Sequence, residues 1–281
     1  MEISLHKLGQ VIAECWERAE TVTAKAVGEE FPQPAEEDIT FLFSGKLRVE
    51  VDEASKRGEF ERALLADLAL HFRDHTADAL VPFKGLIARV NFHSRLHEGR
   101  RSGADIGVVL IRPSVHVVYR SGDVQVTRDR ARALMAQAKL GRPHEKRAGS
   151  MSWGRLTKAQ ERLIPTHQNY YALLLYRLCT GRVLAPFRWQ LCRGRTVDEI
   201  QGWLRAGTFP REVPSGDVIR ALSAGTVGTD SQSVVDLFID PSESHARAVE
   251  IRVFWPEGTG PPRRMSVQHG AKQLARQLAR A

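Results

Sequence analysis

The sequence predicts an α/β protein: a mixed β-sheet flanked by helices, with extra helices at both ends. Three observations point there. Apolar residues recur at helical spacing up to Phe72, β-rich runs fill the stretch from Leu86 to Leu140, and short helices and strands alternate from there to Trp255.

The elements follow in order. From Ile3 to Ala26, Leu5, Leu8, Val11, Ile12, Cys15 and Trp16 share one face of an amphipathic helix. The segment from Phe31 to Asp38 carries two prolines, breaks that helix and caps another. Lys56 to Phe72 reads as a further helix with Phe60, Leu64, Leu65 and Leu68 inward. Strands are expected at Leu86–Phe92, Ala104–Ile111 and Val115–Tyr119, separated by Gly, Ser and Pro. Ala133–Leu140 is an apolar run broken only by Gln137 and Lys139, and reads as a buried strand. Strand side chains alternate, so these two project from one face. Downstream, Leu156–Ile164 is helical, Tyr170–Leu178 fits strand or helix, and Ala185–Cys192 is strand-like. Val197–Arg205 and Asp217–Ser223 are short helices, and Ala248–Trp255 is a late strand. Without repeats or long linkers, residues 1–281 read as one domain ending in a tail, 261–281.

Composition narrows the function classes. At 281 residues and 42% hydrophobic, the chain is long enough for one large core, which sets aside disordered and fibrous classes. A net charge of +8 suits a polyanionic partner. Cys15, Cys179 and Cys192 are far apart and lack metal-ligand spacing, the pattern of reduced thiols in a cytoplasmic protein. The charged N-terminus does not resemble a signal peptide, and no stretch is long enough to span a bilayer, so no membrane partner is expected. The tail carries Arg263, Arg264, Lys272, Arg276 and Arg280 without an acid, and Leu274 and Leu278 lie at i, i+4. This is a basic amphipathic helix, to be read as a nucleic-acid-binding element or as a solvated terminal helix.

Chemistry concentrates in two strands. Asp105 opens an apolar strand, where an unpaired carboxylate is costly to bury, so it calls for a cation. Lys139, two residues after Gln137 in another apolar strand, calls for a negative partner. On adjacent strands they would satisfy each other and leave a metal position between them. Taken singly, Asp105 reads as a turn-associated acid, and Gln137 and Lys139 as solvated residues of an edge strand. Their joint occurrence in a basic chain favours a site.

A glycine-flanked Asp on one strand followed by Gln-x-Lys on the next resembles the Mrr-like variant of the PD-(D/E)xK restriction-endonuclease-like nucleases. The surrounding helix and strand order extends the resemblance over residues 56–192. It implies a restriction-endonuclease-like mixed β-sheet, dependence on Mg²⁺ or Mn²⁺, and hydrolysis of DNA phosphodiesters. It also implies a setting in bacterial restriction or antiphage defence, with a helicase, ATPase or sensor subunit as partner and a homo-oligomer as an assembly. By the same resemblance Asp105 ligates the metal, Gln137 takes the second ligand position, and Lys139 orients the attacking water. Gln replaces the usual second acid, so another acid is needed, often one from the preceding helical region. Glu37, Glu61 and Glu98 are the candidates, with Glu37 favoured as a metal ligand and Glu98 as a catalytic residue.

Other features are bland. His93 and His97 lie at i, i+4 without a third ligand, and the Gly-rich Ser223–Thr229 segment lacks the lysine of a phosphate-binding loop. Trp153, Trp189, Trp203 and Trp255 read as core anchors. Two alternatives stay open: a catalytically silent DNA-binding or assembly subunit with the same fold, and an RNA-directed nuclease.

Overall fold

The computed structural model describes residues 5–30, 33–73, 85–93, 103–117, 124–144, 150–167, 170–231, 233–235 and 247–253. Glu98, His97, Trp255 and the basic tail with Arg263, Arg264, Lys272 and Arg276 lie outside them.

Three helices open the chain: α1 (His6–Glu30), α2 (Glu36–Lys56) and α3 (Glu59–Arg73). Strands β1 (Gly85–Phe92), β2 (Ile106–Val117), β3 (Val124–Pro143) and β4 (Met151–Trp153) follow. Then come helix α4 (Lys158–His167) and strands β5 (Tyr171–Cys179), β6 (Arg182–Val183) and β7 (Arg188–Leu191). The last elements are α5 (Val197–Ala206), β8 (Glu212–Pro214), α6 (Ser215–Ala224) and β9 (Arg247–Val253). The strands join in one nine-stranded sheet ordered β8-β7-β5-β3-β2-β1-β9, with β4 paired to β3 and β6 to β5. β3 and β5 run parallel; the other pairings are antiparallel. The mixed sheet between helical layers agrees with the α/β expectation.

The pleat of β3 sorts the core into two layers. Leu134, Ala136, Ala138 and Leu140 join the cluster that Trp16, Phe43 and Phe60 bring from α1, α2 and α3. Ala133 and Met135 belong to the opposite cluster, with Ile164 of α4 and Ile200 and Leu204 of α5. The sheet is wider than the 56–192 span, since β9 pairs along β1 and α1 and α2 fill the first layer.

Two strand expectations change. Val115–Val117 is not a separate strand, and Val118 and Tyr119 lie outside the described residues: β2 runs unbroken through Pro113 to Val117, and the pairing with β3 shifts register between Arg112 and Ser114. A proline cannot donate to a ladder, and an irregularity in register is where a sheet tolerates one. Tyr170–Leu178, open between strand and helix, is strand β5. Tyr171 to Tyr176 are all buried, so no polar alternation marks the period. Of the Ser223–Thr229 segment, Ser223 and Ala224 end α6 and the rest is a loop: Gly225 closes the helix in the left-handed conformation, and Thr229 bridges Ala133.

The helical layer is fastened by buried carboxylates. Asp67 of α3 accepts from Lys7 N at 2.8 Å and Leu8 N at 2.9 Å, capping α1. Glu20 of α1 accepts from Trp16 Nε1 at 2.8 Å and Phe187 N at 2.9 Å. Burial pushes the Glu20 carboxyl up to about 8, although these donors and Ser215 pull it down.

Candidate active site

The site begins at the turn into β2. Gly103 has φ +63°, and a Cβ there would lie 2.9 Å from Leu163 Cβ, so the turn requires glycine. The Tyr171 hydroxyl donates to Gly103 O at 3.0 Å. Asp105 is then fixed on both sides: its N–H donates to Ala136 O at 3.0 Å, and its carbonyl accepts from His93 N at 2.7 Å.

Past this point β3 loses its neighbour on the β2 side, while β5 stays paired on the other. Ile106 is the first β2 residue in register with β3, opposite Ala136, and β4 takes over only at Gly141. Close approach of β4 is possible there because a Cβ on Gly141 would come within 2.7 Å of the Trp153 indole. Between the two strands, carboxylates take the edge amides. Asp105 Oδ2 accepts from Ala138 N at 2.7 Å, and Glu36 Oε2 accepts from Leu140 N at 2.9 Å. The amides of alternate residues face the same edge of a strand, so Asp105 and Glu36 stand side by side along this gap.

Gln137 and Lys139 are both buried and lie next to these amides. Gln137 is 1% exposed, and its Nε2 donates to the Asp105 Oδ2 that already serves Ala138. Its Oε1 is buried without a hydrogen-bond partner. Lys139 is 4% exposed, with Nζ 3.9 Å from Glu36 Oε1 and its stem against Gly154. Around one gap stand two carboxylates, one amide carbonyl with no donor, and one ammonium. An unpaired carbonyl in such a place is costly, and a ligand or cation is what relieves it.

Family models, curated proteins and solved structures return no match to this chain.

Of the residues expected from sequence, Asp105, Gln137 and Lys139 meet here. Glu37 is exposed on α2, one residue beyond the acid that reaches the gap, and Glu61 lies in the first turn of α3 beside Gly58. Glu36 is the residue that sequence reasoning missed. Its signal was helical phase: Ile39 and Phe43, three and seven residues on, are buried, whereas Phe41, four after Glu37, is 57% exposed. The ion pair of Lys139 is with Glu36, not with the Asp105 expected to answer it; Asp105 is held instead by two N–H donors.

The His93 ring Nδ1 lies 2.7 Å from Ala104 O. A carbonyl only accepts, so Nδ1 carries the proton. Among the described residues no group of three or more His, Cys, Asp or Glu side chains is placed to hold a metal. A cation here would therefore draw on the Gln137 carbonyl as well as on the acids. An all-oxygen set of this kind suits a hard divalent ion such as Mg²⁺ or Mn²⁺.

Proposed function

We propose that this chain is a metal-dependent nuclease that hydrolyses DNA phosphodiesters at the gap between β2 and β4, in the manner of the PD-(D/E)xK enzymes it resembles. One observation carries the reading: the unpartnered, buried Gln137 Oε1 lies in a cluster with Asp105, Glu36 and Lys139, the residue types that a phosphodiester hydrolase of this kind requires. Glu36 also comes from the helical region before the sheet, where the resemblance asks for an acid.

Asp105, Glu36 and the Gln137 carbonyl would hold the cation. When bound, the ion supplies Lewis acidity at the scissile phosphate and lowers the pKa of a coordinated water. Lys139 places positive charge where the transferring phosphate gains negative charge, and Glu36 fixes the position of that ammonium. Asp105 is oriented by Ala138 N and Gln137 Nε2 and needs no rearrangement to face the gap.

A second reading, a catalytically silent DNA-binding subunit, draws on the same hydrogen bonds: Gln137 Nε2 and Ala138 N neutralise Asp105 Oδ2, and Lys139 pairs with Glu36, without any metal. The deciding experiment incubates purified protein with plasmid DNA and with stem-loop RNA in Mg²⁺, in Mn²⁺ and in chelator. Cation-dependent DNA cleavage that Asp105→Ala abolishes supports the nuclease. Binding without cleavage supports the silent subunit, and cutting confined to RNA reassigns the substrate.

A further inference from the structure

Tyr176 of β5 stands in register with Leu140 of β3, and its side chain is fully buried. The ring packs as an apolar group, edge-on to Phe187 with centroids 4.8 Å apart. A phenylalanine would fill that space. A hydroxyl in such surroundings is costly unless it is bonded, so its partner is informative.

That partner is Thr40 Oγ1 at 3.1 Å, and Thr40 Oγ1 in turn lies 3.0 Å from the Glu36 carbonyl. The carbonyl can only accept, so the single Thr40 proton is committed to Glu36, and Tyr176 must donate to Thr40. The donor order is thereby fixed: Tyr176 O–H to Thr40 O–H to Glu36 C=O. The phenol keeps its proton: burial holds it well above its ordinary value against the pull of Thr40, and the charges of Asp105, Glu36 and Glu20 push the same way.

The chain of hydroxyls ends on the first turn of α2, the turn that carries the Glu36 carboxylate. Its N-cap is Ala35, which has no side-chain acceptor to offer, so the turn depends on other fastenings. Asp38 Oδ2 accepts from Ala35 N at 2.8 Å, and the Arg142 guanidinium donates to Pro34 O at 2.7 Å. The Tyr176–Thr40 pair is the fastening that reaches this turn from β5, beneath it.

We infer that Tyr176 and Thr40 are positioning residues for Glu36, locking the first turn of α2 to β5 so that the Glu36 carboxylate meets the Leu140 amide and the Lys139 ammonium. Their bearing on a cation rests on the nuclease reading above; their hold on Glu36 does not.

The test uses the full chain as wild type, Tyr176→Phe, Thr40→Val and Thr40→Ser. A matched control is Thr23→Val, which removes a buried hydroxyl making the same i to i−4 bond, to Ala19 O at 2.7 Å, on α1. Hydrogen exchange of the Leu140 amide is expected to rise about fivefold in Tyr176→Phe and Thr40→Val, the population change that one lost hydrogen bond produces. The Ala138 amide, bonded to Asp105, is expected to keep its rate, and Thr40→Ser and Thr23→Val to leave both amides as in wild type. Mn²⁺ binding followed by electron paramagnetic resonance should weaken about tenfold in Tyr176→Phe and Thr40→Val, as for other residues that orient a ligand from behind. The half-saturating Mn²⁺ for plasmid cleavage should rise with it, while the rate at saturating Mn²⁺ holds. An unchanged Leu140 exchange rate in Tyr176→Phe overturns the positioning role whatever cleavage does. Faster Leu140 exchange in the variants, with a wild type that neither binds Mn²⁺ nor cuts DNA, upholds that role and removes the nuclease reading.

Discussion

Replacing Gln137 by Glu tests whether the amide holds the place of a metal-site acid. In the wild type, Gln137 Nε2 donates to Asp105 Oδ2, and the side chain is 1% exposed. Gln137→Glu exchanges that donor for a second carboxylate oxygen facing the first. Loss of a hydrogen bond to a charged group costs about 1.5–3 kcal/mol. Two like charges about 4 Å apart at an effective dielectric of about 20 repel by a further ~4 kcal/mol, part of which protonation of one carboxyl relieves. The folded-state pKa of the new pair is therefore raised above the unfolded value of about 4.3. Stability relative to wild type is retained below that pH and is lost as pH rises through the folded value. A divalent cation reverses the loss by binding only the folded state. The assay is denaturant unfolding of both proteins at pH 5 and pH 8, with and without Mn²⁺. The variant is expected to be less stable than wild type by several kcal/mol at pH 8 without cation, and to gain more from Mn²⁺ than wild type does. Equal stability of the two proteins at pH 8 without cation would refute the placement of these side chains, and an equal Mn²⁺ response would refute the metal assignment.

Other expectations are as direct. Lys139→Met keeps most of the buried stem and removes the charge that faces Glu36, so plasmid cleavage is expected to vanish while unfolding shifts by about 3 kcal/mol, the low end for a buried pair losing one partner because Glu36 stays partly exposed; wild-type cleavage in a folded variant would remove Lys139 from the chemistry. Asp105→Ala leaves the Ala138 amide and the Gln137 amide group without their acceptor, so thermal and denaturant unfolding should register a loss of about 1–3 kcal/mol for each, alongside the loss of cleavage. Glu20, held up to about 8 by burial, contributes stability that is full below its unfolded pKa of about 4.3 and fades as pH rises through about 8. Wild-type stability should accordingly fall between pH 5 and pH 8.5, and denaturant unfolding of Glu20→Gln should show a flatter pH profile from a lower starting point. Gly141→Ala presses a methyl into the Trp153 indole at 2.7 Å and should cost about 1–3 kcal/mol by denaturant unfolding; a neutral substitution would mean that β4 approaches β3 less closely.

The strands that carry the candidate site were legible because their chemistry is local. Period-2 alternation alone puts Gln137 and Lys139 on one face of β3, and the glycine turn before Asp105 marks where β2 begins. What failed to show was nonlocal or a matter of phase. Pro113 reads as a break, yet paired residues continue on both of its sides once the ladder shifts register. β5 is buried on both faces from Tyr171 to Tyr176, and its one charged residue, Arg177, comes too late in the strand to reveal its period. No local pattern announces that β9 pairs with β1, or that β3 and β5 run parallel. Glu36 and Glu37 differ by one step of about 100°, and only the burial of Ile39 and Phe43 separates the inward acid from the outward one.

In the gap between β2 and β4, Asp105 and Glu36 do for β3 what a neighbouring strand does elsewhere: they accept its edge amides at Ala138 and Leu140. On the nuclease reading, folding and chemistry would draw on the same two carboxylates. Under mutational drift, a lineage that lost such a reaction would still be held to these two acids, because removing either one strands a buried backbone donor. Among the described residues Lys139 donates to no backbone group, so its loss strands none. Were the proposed nuclease activity present, the persistence of a lysine at this position, more than that of the acids, would separate descendants that kept it from those that lost it.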